Sequence, residues 1–106
     1  MKPYVSLSAA AILAAVRDGH QHGFDIMDVL GLPSGTVYPA LRRMEDAGFV
    51  ESSWEPAETA QREARPPRKY YRLTRSGRDA VEEAARRYRL PPPAVSPHLR
   101  PTRARR

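Results

Sequence analysis

Side chains able to recognise phosphate and base edges cluster in two short segments of the sequence. Tyr38 and Arg42 are four residues apart, with Pro39 and Arg43 beside them. On a helix that spacing puts Tyr38 and Arg42 on one face. Arg offers a planar fork that can grip guanine or phosphate bidentately, and Tyr adds a long planar surface. Just ahead of them, Ser34, Gly35 and Thr36 supply hydroxyl and backbone donors at the start of a helix, whose positive end suits an anion. In the second segment Arg65, Arg68 and Lys69 surround Pro66-Pro67, a basic stretch suited to the sugar-phosphate backbone or the minor groove. Plainer readings stay open. Arg42 and Arg43 could pair with Glu45, Asp46 or Asp28 at the surface, and the basic stretch could be a solvated loop.

Other chemistries find little support. Cys is absent, which removes disulfides, thiolate zinc sites and a Cys nucleophile. His20 and His22 are two apart, but no neighbouring carboxylate or Cys completes a four-ligand set, so no metal or other cofactor is expected. His22 is better suited to capping or hydrogen-bonding at the start of a helix, near a phosphate. No Ser sits in a nucleophile elbow and no Gly-rich phosphate loop is present. Glu82 and Glu83 are adjacent, so on a helix they diverge by about 100° and cannot flank one substrate. The residues supply no enzyme.

Charge distribution favours an anionic partner. The 106 residues carry a net +6 and a pI near 10.3. Residues 1–60 sum to −4 and residues 61–106 to +10, so one region is strongly positive, an electrostatic footprint for phosphate. Six cations and one acid fall between Gln61 and Arg75. The longest apolar run, Ala9 to Val16, is eight residues, far short of the roughly 20 that span a bilayer. With no secretory signal at the N-terminus, the expectation is a cytoplasmic protein with no membrane partner.

The elements that must position these residues follow from periodicity. Residues 7–17 form an apolar helix capped by Ser6 or Ser8, and residues 24–30 form a short second helix. Gly31-Leu32-Pro33 is a tight break, and Ser34 is expected to cap a third helix ending near Ala47-Gly48. In that helix Val37, Ala40, Leu41 and Met44 recur at i, i+3, i+4 and i+7, one buried stripe. Pro39 is expected in the first turn or just beyond it, where its missing N–H costs least. Two helices joined by a three-residue Gly-containing turn match a helix-turn-helix. Residues 49–54 and 69–73 read as an antiparallel hairpin, with Tyr71 and Leu73 turned inward. The stretch 55–68, with Pro56, Pro66 and Pro67 and no periodic pattern, reads as its long flexible tip. Thr74 caps a fourth helix running to about Leu90. Residues 91–106, rich in Pro and Arg and free of acid, read as a disordered tail. The fold class is therefore mainly α with a small antiparallel β-hairpin, a winged helix-turn-helix domain over residues 1–90. The first helix is apolar on more than one face, and Val81, Ala84, Ala85 and Tyr88 make a narrow stripe on the fourth. Both stripes lack an evident cover, so Leu7, Ala10, Ala11, Ala14, Val81, Ala84, Ala85 and Tyr88 are expected at a homodimer interface.

Three blocks resemble one family. Gly19-His20-Gln21-His22-Gly23-Phe24-Asp25-Ile26 is similar to the G-x-x-H-G-[YF]-x-I segment of the PadR-like bacterial transcriptional regulators. The segment from Ser34 to Glu45, with its Gly35-Thr36-Val37-Tyr38-Pro39 core, resembles the recognition-helix motif of that family. Arg65 to Thr74 resembles its wing. The resemblance covers residues 7–80 or so, in the right order. It implies a dimeric winged-helix repressor on a palindromic operator in double-stranded DNA, with dimers formed through the first and last helices. The break between the second and third helices is shorter than in many members, which points to a compact variant. The chain also stops soon after its fourth helix, without the long C-terminal helical region of larger members. A small apolar or phenolic effector between the first and fourth helices of the dimer is compatible with that picture. The competing reading is a winged-helix protein–protein module that grips an acidic partner.

Overall fold

The computed structural model describes residues 5–90; the expected tail, residues 91–106, lies outside them. Five helices and a two-stranded sheet follow the order α1 (Leu7–Arg17), α2 (Gly23–Leu30), α3 (Ser34–Asp46), β1 (Val50–Trp54), α4 (Ala57–Arg62), β2 (Lys69–Leu73) and α5 (Arg75–Tyr88). The mainly α winged helix-turn-helix is formed.

α1 is the centre of the domain. Ser6 caps it, its hydroxyl accepting from the Ala9 amide at 3.2 Å. Ala9, Ala10, Ile12, Leu13, Ala15 and Val16 are all buried, and α1 packs against α2, α3, β2 and α5. The apolar circumference of α1 is thus covered largely within one chain. α5 closes the opposite side by burying Val81 and Ala84 in the same core. Its last turn is tied down by the Tyr88 hydroxyl, which donates to the Val5 carbonyl at 2.8 Å. The dimer expectation is corrected here for Ala10, Val81 and Ala84, which have essentially no exposed surface left. Leu7 is exposed, and Ala11, Ala14, Ala85 and Tyr88 are partly so.

Gly31 ends α2 in the left-handed region (φ 67°), and its amide bonds the Met27 carbonyl at 2.8 Å. A residue with a β-carbon is strained there. Pro33, extended and with φ −76°, is the N-cap of α3, so Ser34 is its first helical residue and not its cap. Pro39 is consequently the sixth residue of α3, in its second turn, and has no amide hydrogen for the Gly35 carbonyl. Val37, Ala40, Leu41 and Met44 are buried as the periodicity predicts.

β1 and β2 pair antiparallel with Val50 opposite Leu73 and Trp54 opposite Lys69. Tyr71 and Leu73 face the core. The segment before α2 adds a third rung that the sequence did not announce: the Tyr71 amide donates to the Gln21 carbonyl at 2.7 Å, and His22 bridges Tyr70. The hairpin tip also differs from the expected flexible loop, because residues 57–62 form α4. Pro56 precedes it, Glu58 lies in its first turn and Arg62 in its last, as the helix dipole favours, and Ala60 is buried. Thr74 caps α5, accepting from the Gly77 amide at 3.0 Å. No described helix is long and apolar enough to cross a membrane.

Candidate nucleic-acid interface

α3 buries one stripe and leaves its opposite face open. Ser34, Gly35, Pro39, Arg42 and Arg43 are exposed, Thr36 is half-buried, and Tyr38 keeps 42% of its surface. Neither Arg42 nor Arg43 has an ion-pair or hydrogen-bond partner among the described residues. The alternative that they are spent on Glu45, Asp46 or Asp28 is therefore not realised. Glu45 instead accepts from the Ser52 hydroxyl at 2.6 Å and faces Lys69 Nζ at 3.9 Å.

Tyr38 is held as well as exposed. A β-carbon on Gly23 would collide with the phenol ring and its hydroxyl. Gly23 lets the N-terminus of α2 lie under the ring, so its role is close approach and not a turn. This contact joins the His22-Gly23-Phe24 block to the Gly35–Pro39 block, which sequence spacing alone could not reveal.

His22 lies one residue from that contact, at the N-cap of α2, but its side chain makes no capping hydrogen bond. The expected capping role is corrected. The ring meets Tyr70 edge-to-face at 5.5 Å, and its Nδ1 is buried without a partner among the described residues. Burial, reinforced by the Arg68 charge, holds its pKa below the usual imidazole value. His20 is engaged elsewhere, its Nδ1 being 2.9 Å from Asp25 Oδ2. The two imidazoles thus have separate partners, and no three potential ligands converge as a metal site among the described residues.

The three wing cations have different fates. Arg65 is bound to the Glu55 carboxylate through two contacts, one of them Nη2 to Oε2 at 3.1 Å. Glu55 also accepts from the Arg68 amide at 2.8 Å, and only 5% of its side chain is exposed. Its hydrogen bond from Arg65 holds the carboxyl below the usual range, and the same bond raises Arg65. Arg65 is therefore a brace across the wing, its guanidinium already engaged by Glu55. Arg68 donates to Glu55 through its amide, leaving the guanidinium without an ion-pair partner among the described residues. Lys69 lies 5.6 Å from the centroid of the Trp54 ring and 6.0 Å from that of Tyr71, and among the described residues its one ion-pair approach is the loose one to Glu45.

Two site features were not read from the sequence. Glu55 organises the base of the wing, a role that a count of charges cannot assign. Trp54 stands 65% exposed at the end of β1; an unpaired aromatic beside a basic segment was the available signal.

A family model described as the transcriptional regulator PadR-like family matches residues 12–83. Among curated proteins none matches the sequence. The chain is similar to the crystal structure of a PadR family transcription regulator from hypervirulent Clostridium difficile. That relative is 26% identical, with a TM-score of 0.68 over 79% of this chain and 88% of the other. A PadR-like transcriptional regulator from Bacillus cereus is 22% identical, with a TM-score of 0.61 over 77% of this chain and 81% of its own, and shares the fold. So does MarR from E. coli in its apo form, at 18% identity and a TM-score of 0.63, with 77% of this chain matched to 56% of that one.

Proposed function

The chain belongs to the PadR-like family of transcriptional regulators, and on that premise we propose that it acts in the cytoplasm as a homodimeric repressor of a palindromic operator. Family members are regulators and not enzymes. The observation that carries the reading is the open face of α3, where Tyr38, Arg42 and Arg43 are exposed around a fixed aromatic ring and both guanidiniums lack a described partner. Residues 34–43 of each subunit enter a major groove, and Arg68 and Lys69 hold the flanking backbone. Two such helices related by a twofold axis read half-sites about one helical turn apart. Repression follows from occlusion of a promoter.

The subunits meet through the outward stripe of α1, Leu7, Ala11 and Ala14, together with Ala85 and Tyr88. These remain at least partly accessible after the intrachain core has formed. Leu7, Ala11 and Ala14 recur at i, i+4 and i+7, and the small Ala side chains let helices approach closely. An apolar or phenolic effector would bind between subunits, because α1 and α5 of one chain close directly on each other.

Arg42→Ala tests the reading. If Arg42 takes a guanine edge, the variant loses about 1–3 kcal/mol on the preferred duplex and relaxes discrimination at one position of each half-site. Affinity for the preferred duplex and for single-base variants of it checks this. Equal losses on every sequence would reduce Arg42 to a phosphate contact.

A further inference from the structure

Trp54 is the most conspicuous side chain that the reading above leaves without a role. It is the sole tryptophan, 65% exposed, and it stands apart from the buried core. An exposed indole can cover apolar surface in a complex while its N–H meets a polar group, which is why Trp is enriched at interfaces. Its neighbourhood says what that is. Trp54 ends β1 opposite Lys69. It lies on the same sheet face as Ser52, because side chains two apart on a strand share a face. Ser52 reaches Glu45 of α3 at 2.6 Å. Tyr38, Arg42 and Glu45 follow one another at i, i+4 and i+7, so Trp54 stands at the hairpin flank of the same stripe that presents Tyr38 and Arg42.

The local charge favours a polyanion. Lys69 Nζ lies over the indole, and Arg68 precedes it in the chain. The carboxylates beside the two strands are occupied: Glu51 by Arg72 at 2.8 Å, Glu55 by Arg65, and Glu45 by the Ser52 hydroxyl. Glu58 and Glu63 lie on or beside α4, beyond the strands.

We infer that Trp54 is a DNA-contacting residue, its indole packing on the deoxyribose edge of the duplex beside the groove that α3 enters, with Lys69 meeting the adjoining phosphate. The inference rests on the DNA-binding reading above and adds to it a contact that does not depend on base sequence. Apolar side chains set against the duplex are a known device of minor-groove contacts, where they wedge at base steps.

The sole tryptophan makes the test direct. The full chain is titrated with mixed-sequence duplex DNA at low salt, where sequence-independent binding is strongest. Binding is read from the anisotropy of labelled DNA and, in parallel, from tryptophan emission. Emission should change with the same midpoint as anisotropy. Trp54→Ala should bind about tenfold more weakly, at the scale of losing part of one large apolar side chain's burial, and Trp54→Phe should recover part of the loss. Thermal unfolding of both variants should match the parent. Unchanged emission while anisotropy reports binding, with Trp54→Ala binding as the parent does, would overturn the inference and leave the regulator reading intact. An emission maximum that shifts with protein concentration and not with DNA would assign Trp54 to a subunit contact and also overturn it. An absence of binding by anisotropy would overturn the DNA reading itself.

Discussion

Affinity for duplex DNA is expected to fall by about 10³- to 10⁵-fold between about 50 and 200 mM salt. The reason lies in which cations are free. Arg42, Arg43 and Arg68 have no ion-pair partner among the described residues, and Lys69 is held only by a 3.9 Å approach to Glu45. With Arg42 assigned to a base edge, Arg43, Arg68 and Lys69 of each subunit give about six phosphate contacts in a dimer, the lower end of the six to ten that produce this slope by counterion release. Arg65 and Arg72 are already paired, with Glu55 and Glu51. Each would have to give up a carboxylate to take a phosphate, so each adds less to the slope. Arg68→Ala should therefore flatten the dependence of log affinity on log salt by about 0.9 per site removed, without altering sequence preference. Affinity measured by anisotropy across a salt series checks both statements. A slope near zero would mean that phosphate is not what the cations hold.

Gly77→Ala is expected to cost about 3 kcal/mol, the upper end of what overpacking usually costs. A β-carbon at Gly77 would overlap the Phe49 carbonyl oxygen, a backbone atom that cannot rotate away. Nor can the two segments easily part. The Thr74 amide donates to that same carbonyl at 3.0 Å, the Thr74 hydroxyl donates to the Gly48 carbonyl at 2.5 Å, and the Ser76 hydroxyl does so at 2.9 Å. Relief of the clash means opening this clamp between the start of α5 and the turn before β1. Against a typical stability of about 5–15 kcal/mol, the loss is a large share. At about 4–8 °C per kcal/mol for a domain of this size, the melting temperature should drop by about 12–24 °C. Thermal denaturation followed by circular dichroism checks it, and an unchanged midpoint would contradict the close approach of α5 to β1.

The contrast between these two results reflects what local sequence encodes. Patterns within one element are legible: the Val37–Met44 stripe, the inward Tyr71 and Leu73, and the Thr74 cap follow from periodicity and capping chemistry. Contacts between distant segments are not. The Ala-rich stripe of α1 and the Val81/Ala84 stripe of α5 each demand a cover, but periodicity is silent on whether the cover is another chain or the other helix. Here the two helices, about seventy residues apart, cover each other. For the same reason the Gly23–Tyr38 contact and the Gln21 rung on β2 were invisible. α4 is six residues long, too short for an apolar repeat, although its Pro56 start and its dipole-matched Glu58 and Arg62 were present to be read. Arg65 shows the limit of counting charges: a cation in a basic stretch can be a partner for DNA or, as here, a brace for Glu55.

The selection of bound sequences from random duplexes, run with the purified chain at physiological salt, tests most directly whether the open face of α3 reads DNA. A short inverted repeat whose halves lie about one helical turn apart should be enriched, with one position of each half blurred when Arg42→Ala replaces the parent. Retention of all duplexes alike, or an enriched sequence unaffected by changes at both Tyr38 and Arg42, would contradict it.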